Sequence, residues 1–107
     1  MGKVDIIKTN HGYEYLLKLG LTKKAFKTRE RCDEIISKLA EDNYGKPMYS
    51  ENSKYVKLVK RYWAGDFSKE EAIEQFGEKV DIGAVFNSAL YYDFKSMFWI
   101  EEYELED

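Results

Sequence analysis

Ser53-Lys54-Tyr55-Val56-Lys57-Leu58-Val59-Lys60-Arg61-Tyr62-Trp63-Ala64-Gly65 runs into Asp66-Phe67-Ser68-Lys69-Glu70-Glu71-Ala72-Ile73-Glu74-Gln75-Phe76-Gly77, and this stretch decides the fold. Two helices and a tight corner are written into it. Ser53 is an N-cap, and Tyr55, Val56, Leu58, Val59, Tyr62 and Trp63 recur every three to four residues. Gly65 stands where a left-handed residue ends a helix. Ser68 and Glu71 have capping-box spacing, Phe67 is placed to staple back to Ala72, and Gly77 closes the second helix. The spacing therefore predicts a helix-turn-helix pair over 53–64 and 68–76.

Working outward, the 107 residues are expected to form a single domain that hides roughly two-thirds of its unfolded surface. Hydrophobic content of 44% and aromatic content of 16% argue for a packed globule and against disorder. A single cysteine, Cys32, excludes an internal disulfide framework. No apolar run approaches the roughly 20 residues of a membrane span, and none of signal-peptide length opens the chain, so a soluble cytoplasmic protein is expected, with no membrane partner. The net charge of −3 is unevenly spread, being +4 over residues 1–40 and −7 over 41–107. That polarity suggests two faces with different partners, or one end folded against the other.

Upstream, Val4, Ile6 and Ile7 start a strand and Asn10-His11-Gly12 offers turn chemistry. Tyr13, Tyr15, Leu17 and Leu19 then alternate onto one face. A hairpin is expected, with Leu21 to Phe26 returning as a third short strand of a sheet over 4–26. Thr28 caps a helix over 29–43, whose Cys32, Ile35, Ile36 and Leu39 make one apolar stripe. Downstream, Asp81 caps a helix over 81–96 with Ile82, Val85, Phe86, Ala89 and Leu90 inward, followed by an extended segment over 97–107. The expected class is α+β: a short antiparallel N-terminal sheet packed on a helix, followed by a helical C-terminal half. The body is expected to be held by its helices, leaving Trp99–Asp107 dispensable for folding.

Catalytic chemistry has little to work with. His11 is the only histidine, sits in a turn and has no nucleophile signature around it; G-x-S-x-G does not occur. Cys32 lies on the apolar stripe of its helix, the position of an inert thiol. One Cys and one His cannot make a zinc site of ordinary composition. Neither G-x-x-x-x-G-K nor G-x-G-x-x-G is present. A non-enzyme with no cofactor and no metal is expected.

Two surfaces stand out instead. Lys54, Lys57, Lys60 and Arg61 crowd one helix among Tyr55, Tyr62 and Trp63, and Lys23, Lys24, Lys27, Arg29 and Arg31 crowd the approach to the helix at 29. Clustered cations attract phosphates, and aromatic rings stack on unpaired bases. The other pole is the C-terminal end, from Tyr91, Tyr92, Asp93 and Phe94 to Phe98-Trp99-Ile100-Glu101-Glu102-Tyr103-Glu104-Leu105-Glu106-Asp107, where five of the last seven residues are acidic. Trp and Tyr anchors set among carboxylates make a recognition surface for a basic groove.

Tyr13-Glu14-Tyr15-Leu16-Leu17-Lys18-Leu19, with Lys24-Ala25-Phe26-Lys27-Thr28 and the helix bearing Ile35-Ile36, resembles the AP2-like, arm-binding module of phage integrases. That resemblance implies a three-stranded sheet and contact with the DNA major groove. Phe67 to Gly77 is similar to the first half of a DNA-binding helix-turn-helix, which implies a recognition helix to follow; the next helix bears Asp81, Gly83, Asn87, Ser88 and Asp93. In size and texture the chain also resembles small phage-encoded anti-restriction and anti-CRISPR proteins.

The leading expectation is a non-enzymatic, protein-binding inhibitor or modulator encoded by a phage or other mobile element. It would dock Trp99 and Tyr103, with Asp93, Glu101, Glu102 and Glu104, on a basic, nucleic-acid-binding site of an effector. The competing expectation is a small DNA- or RNA-binding regulator using Lys54, Lys57, Lys60 and Arg61, with Lys23 and Lys24. A structural subunit assembling through the aromatic surface is the third; the oligomeric state stays open.

Overall fold

The computed structural model describes residues 2–21 and 24–104. In chain order the elements are β1 (Lys3–Thr9), α1 (Tyr13–Lys18), α2 (Arg29–Tyr44), α3 (Lys54–Trp63), α4 (Lys69–Phe76), α5 (Ile82–Ser96) and β2 (Phe98–Glu104), an α+β fold. Two compact units are formed. One is Asn43–Asp93; the other takes the residues up to Asp42 together with those from Phe94 onward.

The unit Asn43–Asp93 follows its capping signals. Ser53 Oγ accepts the Val56 amide at 3.2 Å and starts α3. At its end, Gly65 N–H donates to Tyr62 O and Asp66 N–H to Arg61 O, both at 3.0 Å, with Gly65 at φ +87°. This is the paired closure that a left-handed residue permits. Both halves of the capping box at Ser68 are made: Glu71 N–H donates to Ser68 Oγ at 3.1 Å, and Ser68 N–H to Glu71 Oε1 at 3.4 Å. Val56, Val59, Ala72, Phe76, Val85 and Ala89 form the core, with Phe67 and Phe86 against it. Burial of each large side chain there contributes about 1.5–3 kcal/mol.

One buried hydroxyl ties the loop before α3 to α5. Ser88 is 1% exposed. Its Oγ accepts the amides of Met48 at 3.1 Å and Tyr49 at 3.2 Å, and donates to Ala84 O at 2.8 Å. Two N–H groups thus depend on one oxygen. Ser88→Ala is expected to destabilise the chain by about 1–3 kcal/mol, because truncation leaves the amide donors unmet. Urea melts give the number, and Ser88→Ala melting like the native chain would refute the assignment.

In the other unit the expected sheet is corrected. Only Lys3–Thr9 of the predicted hairpin is a strand, and its partner is β2 at the far end of the sequence, antiparallel, from Lys3 opposite Glu104 to Thr9 opposite Phe98. Tyr13–Lys18 is a helix, not a strand; of the expected third strand, Thr22 and Lys23 lie outside the described residues, and the rest shows an isolated bridge in which Asp5 and Phe26 exchange two backbone hydrogen bonds of 2.8 Å. The turn chemistry at 10–12 is real, since Gly12 N–H donates to Thr9 Oγ1 at 2.8 Å, but it leads into α1.

Alternating aromatic and leucine residues could not fix a strand there because Leu16 is the residue the fold buries, leaving Tyr13, Leu17 and Leu19 exposed. Closure of α1 confirms the helical solution: Gly20 N–H donates to Leu17 O at 3.0 Å and Leu21 N–H to Leu16 O at 2.8 Å, with Gly20 at φ +67°. The other boundaries stand close to expectation. Thr28 Oγ1 accepts the Arg31 amide at 3.2 Å at the start of α2, and Asp81 Oδ1 accepts the Ala84 amide at 3.0 Å at the start of α5; of the expected extended segment, Phe98–Glu104 is strand and 105–107 lie outside the described residues.

Candidate functional site

A two-stranded antiparallel ribbon shows its side chains alternately on two faces. On the inward face, Ile7 and Phe98 are buried, and Phe98 packs on Phe94 with ring centroids 5.3 Å apart. Phe94 in turn meets Tyr15 edge-on at 4.9 Å. On the outward face, Val4, Ile6 and Lys8 of β1 stand opposite Tyr103, Glu101 and Trp99 of β2. Register alone therefore gathers Trp99, Glu101 and Tyr103 on one surface. Trp99 remains 39% exposed and Tyr103 42%.

These three side chains are joined to one another. Trp99 Nε1–H donates to Glu101 Oε1 at 3.0 Å, and Tyr103 O–H donates to Glu101 Oε2 at 2.5 Å. Both donors are neutral, so the carboxylate keeps its full charge while its position is fixed from both sides. Lys8 Nζ lies 5.8 Å from the centre of the Tyr103 ring, within cation–π range. The tyrosine hydroxyl first and the indole N–H second hold Glu101 below the usual glutamate range, with Lys8 adding to this. The same bond raises Tyr103, because losing its proton would set two anions together.

The sign of each shift defines where the clamp acts. Glu101, with its folded value depressed, contributes stability that is fully present above its ordinary pKa near about 4.3 and is lost as pH falls through the folded value. Tyr103, with its folded value raised, contributes below its ordinary pKa of about 10 and loses the contribution as pH rises through the folded one. The Trp99 indole N–H resonance is expected to titrate at acid pH with a midpoint below that of an ordinary glutamate. In Glu101→Gln this step should vanish; its survival there would show the clamp is not what the indole senses.

The remaining expected carboxylates divide. Glu102 is on the other face of β2 and pairs with Lys3 at 3.2 Å, both ends well exposed. An exposed pair of this kind contributes at most about 1 kcal/mol and yields to salt. Glu104 is exposed and has no ion pair among the described residues. Asp93 is on α5, in the unit Asn43–Asp93, and not on a strand of the ribbon.

The basic set is less available than its sequence suggests. Lys60 pairs with Glu51 at 3.2 Å and Arg61 with Asp66 at 3.1 Å. Lys54 lies over the Tyr55 ring and Arg61 over Phe67, each at 5.2 Å. Lys54, Lys57 and Arg61 nevertheless border one shallow hollow beside Leu58 and Gln75. Lys24 is exposed and Lys23 lies outside the described residues. The helix after α4 offers little to a base edge: Ser88 is buried, and the Asn87 side-chain amide donates to the carbonyl of Tyr44.

A hollow of about 350 Å³ opens where Leu21, Phe26, Ile35 and Leu39 face one another. Lys24, Arg31, Glu34, Lys38 and Asp42 also line it, and Arg31 is tied to Glu34 at 3.1 Å. Cys32 is buried; desolvation chiefly, then Asp5 and Asp33, push its thiol up, away from the reactive thiolate. Among the described residues no three His, Cys, Asp or Glu side chains are placed to hold a metal ion, and no helix is long and apolar enough to cross a membrane.

Comparison with protein-family models, curated proteins and solved structures gave no match. The reading of function therefore rests on this geometry. What the sequence did not disclose was the partner of β2, and with it the facing row of Val4, Ile6 and Lys8. A signal was present in the opposite charges of Lys3 and Lys8 against Glu101, Glu102 and Glu104, at strand spacing in two distant segments.

Proposed function

We propose that this chain is a non-enzymatic, protein-binding inhibitor or modulator that docks the outward face of the β1–β2 ribbon on a basic site of its target. The observation that carries this reading is the Trp99–Glu101–Tyr103 clamp: two exposed aromatic side chains hold a carboxylate that stays ionised at neutral pH. Anchors fixed before contact lose less conformational freedom on binding, and Trp and Tyr are the side chains most often found at the energetic centre of an interface. Glu102 and Glu104 extend the negative field along the strand and give attraction that falls with salt. Lys/Arg clusters that grip phosphates are the surfaces such a face fits, and nucleic-acid-binding effectors of the CRISPR or restriction kind, the targets of inhibitors from phages and other mobile elements, present them.

Affinity capture with mass spectrometry, run in parallel with the native chain and with Trp99→Ala/Tyr103→Ala, tests the proposal. A basic protein held by the native chain, released by salt and absent from the variant supports it. Equal capture by both chains overturns it.

A second reading, a DNA- or RNA-binding regulator, is favoured by the hollow that Lys54, Lys57 and Arg61 share on α3. Fluorescence anisotropy with a labelled duplex and a labelled single strand separates the two readings. Affinity that falls steeply with salt and disappears in Lys57→Glu/Arg61→Glu identifies the regulator.

A further inference from the structure

The outer edge of β2 has no partner strand among the described residues, and the direction of its backbone groups follows from the bridge at Asp5. Asp5 exchanges both of its backbone hydrogen bonds with Phe26. Its N–H and C=O therefore point away from β2, which makes Asp5 and Glu102 a non-hydrogen-bonded pair in the ladder. By alternation, Val4, Ile6 and Lys8 bond across to Tyr103, Glu101 and Trp99, while the N–H and C=O of Ile100 and Glu102 point outward from β2. Among the described residues the sheet has two strands, so there those groups form an open edge.

We infer that the outer edge of β2 is a strand-addition site for an extended, Lys/Arg-rich segment of a partner protein. The inference rests on the docking reading above and gives it a binding mode. An added strand gains main-chain hydrogen bonds from the edge and specificity from alternate side chains. Here those side chains would lie beside Trp99, Glu101 and Tyr103 on one face and beside Ile100, Glu102 and Glu104 on the other. Charge selects the occupant. Three of the last four residues of β2 are glutamates, so a basic strand is attracted, whereas a second copy of β2 brings carboxylates close to carboxylates.

The test uses the full chain, isotope-labelled, and a capped nonapeptide alternating valine with lysine or arginine. Two further peptides carry N-methyl groups, one on its valines and the other on its basic residues, so that each loses the amide donors of one edge and keeps every charge. Strand addition predicts that hydrogen exchange at the Ile100 and Glu102 amides slows at least about tenfold with the parent peptide. It also predicts that at least one N-methylated peptide binds at least about tenfold more weakly. Parent binding with both amides unprotected and both methylated peptides equal to the parent overturns strand addition and leaves the docking face intact. Failure of the parent to bind also overturns it, as does protection in the free chain that rises with protein concentration, which would place a second copy on the edge. The docking reading is judged separately: it fails if Trp99→Ala and the native chain bind the parent peptide equally.

Discussion

Trp99→Ala and Tyr103→Ala are each expected to weaken partner binding by at least about 30-fold, the loss of about 2 kcal/mol that marks an interface anchor. Stability should change by less than about 1 kcal/mol, since both side chains project from the outward face of the ribbon and neither fills the core. The double variant should lose less than the product of the two, because either truncation also frees Glu101 from one of its two donors. Glu102→Lys/Glu104→Lys should act differently, slowing association and flattening its salt dependence. Titration calorimetry against the captured partner, association kinetics at several salt concentrations and a thermal melt check all three. Losses under threefold in both single variants, with melting unchanged, would remove the aromatic pair from the interface.

Phe98→Ala should do the opposite. Phe98 is 6% exposed, stacks at an angle on Phe94 and closes over Gly12 so tightly that a methyl group at that glycine would meet Phe98 Cε1 at 2.7 Å and Thr9 Oγ1 at 2.9 Å. Emptying such a site costs about 3–5 kcal/mol through lost transfer energy and the cavity left behind. In a chain whose whole stability is of order 5–15 kcal/mol, that lowers the melting point by at least about 12 °C. Adjacent residues, Phe98 and Trp99, thus report on two different properties, because one strand position separates the inward from the outward face. A Phe98→Ala chain that melts within 3 °C of the native one would show that the ring is not packed as described.

This alternation also explains what the sequence could and could not reveal. Ser53, Gly65, Ser68, Glu71 and Gly77 act on backbone groups within a few residues of themselves, so their chemistry was legible without any tertiary knowledge. The stripe of Cys32, Ile36 and Leu39 was legible for the same reason, since helical periodicity is local. Residues 13–19 were not, because two short patterns overlap there. The alternation of Tyr13, Tyr15, Leu17 and Leu19 reads as a strand, while Leu16 and Leu21 around Gly20 fit a helix closed by a left-handed glycine, and the fold buries the second set. Strand pairing is the least local signal of all. The extended state of residues 98–104 could be anticipated, but their partner is the strand Lys3–Thr9, beyond every helix of the described chain.

The same pairing changes how the C-terminal segment is to be tested. Removing Trp99–Asp107 was expected to spare the body, yet it deletes six of the seven residues of β2 and strips β1 of its ladder. Point substitution on the outward face is the clean experiment.

The ladder from Lys3–Thr9 to Phe98–Glu104 also sets an order of events during synthesis. The Ser88 contacts within segment 43–93 span 39 and 40 residues, whereas the ribbon must bring together strands at 3–9 and 98–104, at an entropic cost that grows with the logarithm of that separation. Residues 98–104 leave the ribosome after all of 43–93, so the first strand waits, unmatched, until they emerge. A message cut short before codon 98 would yield the helices without the ribbon.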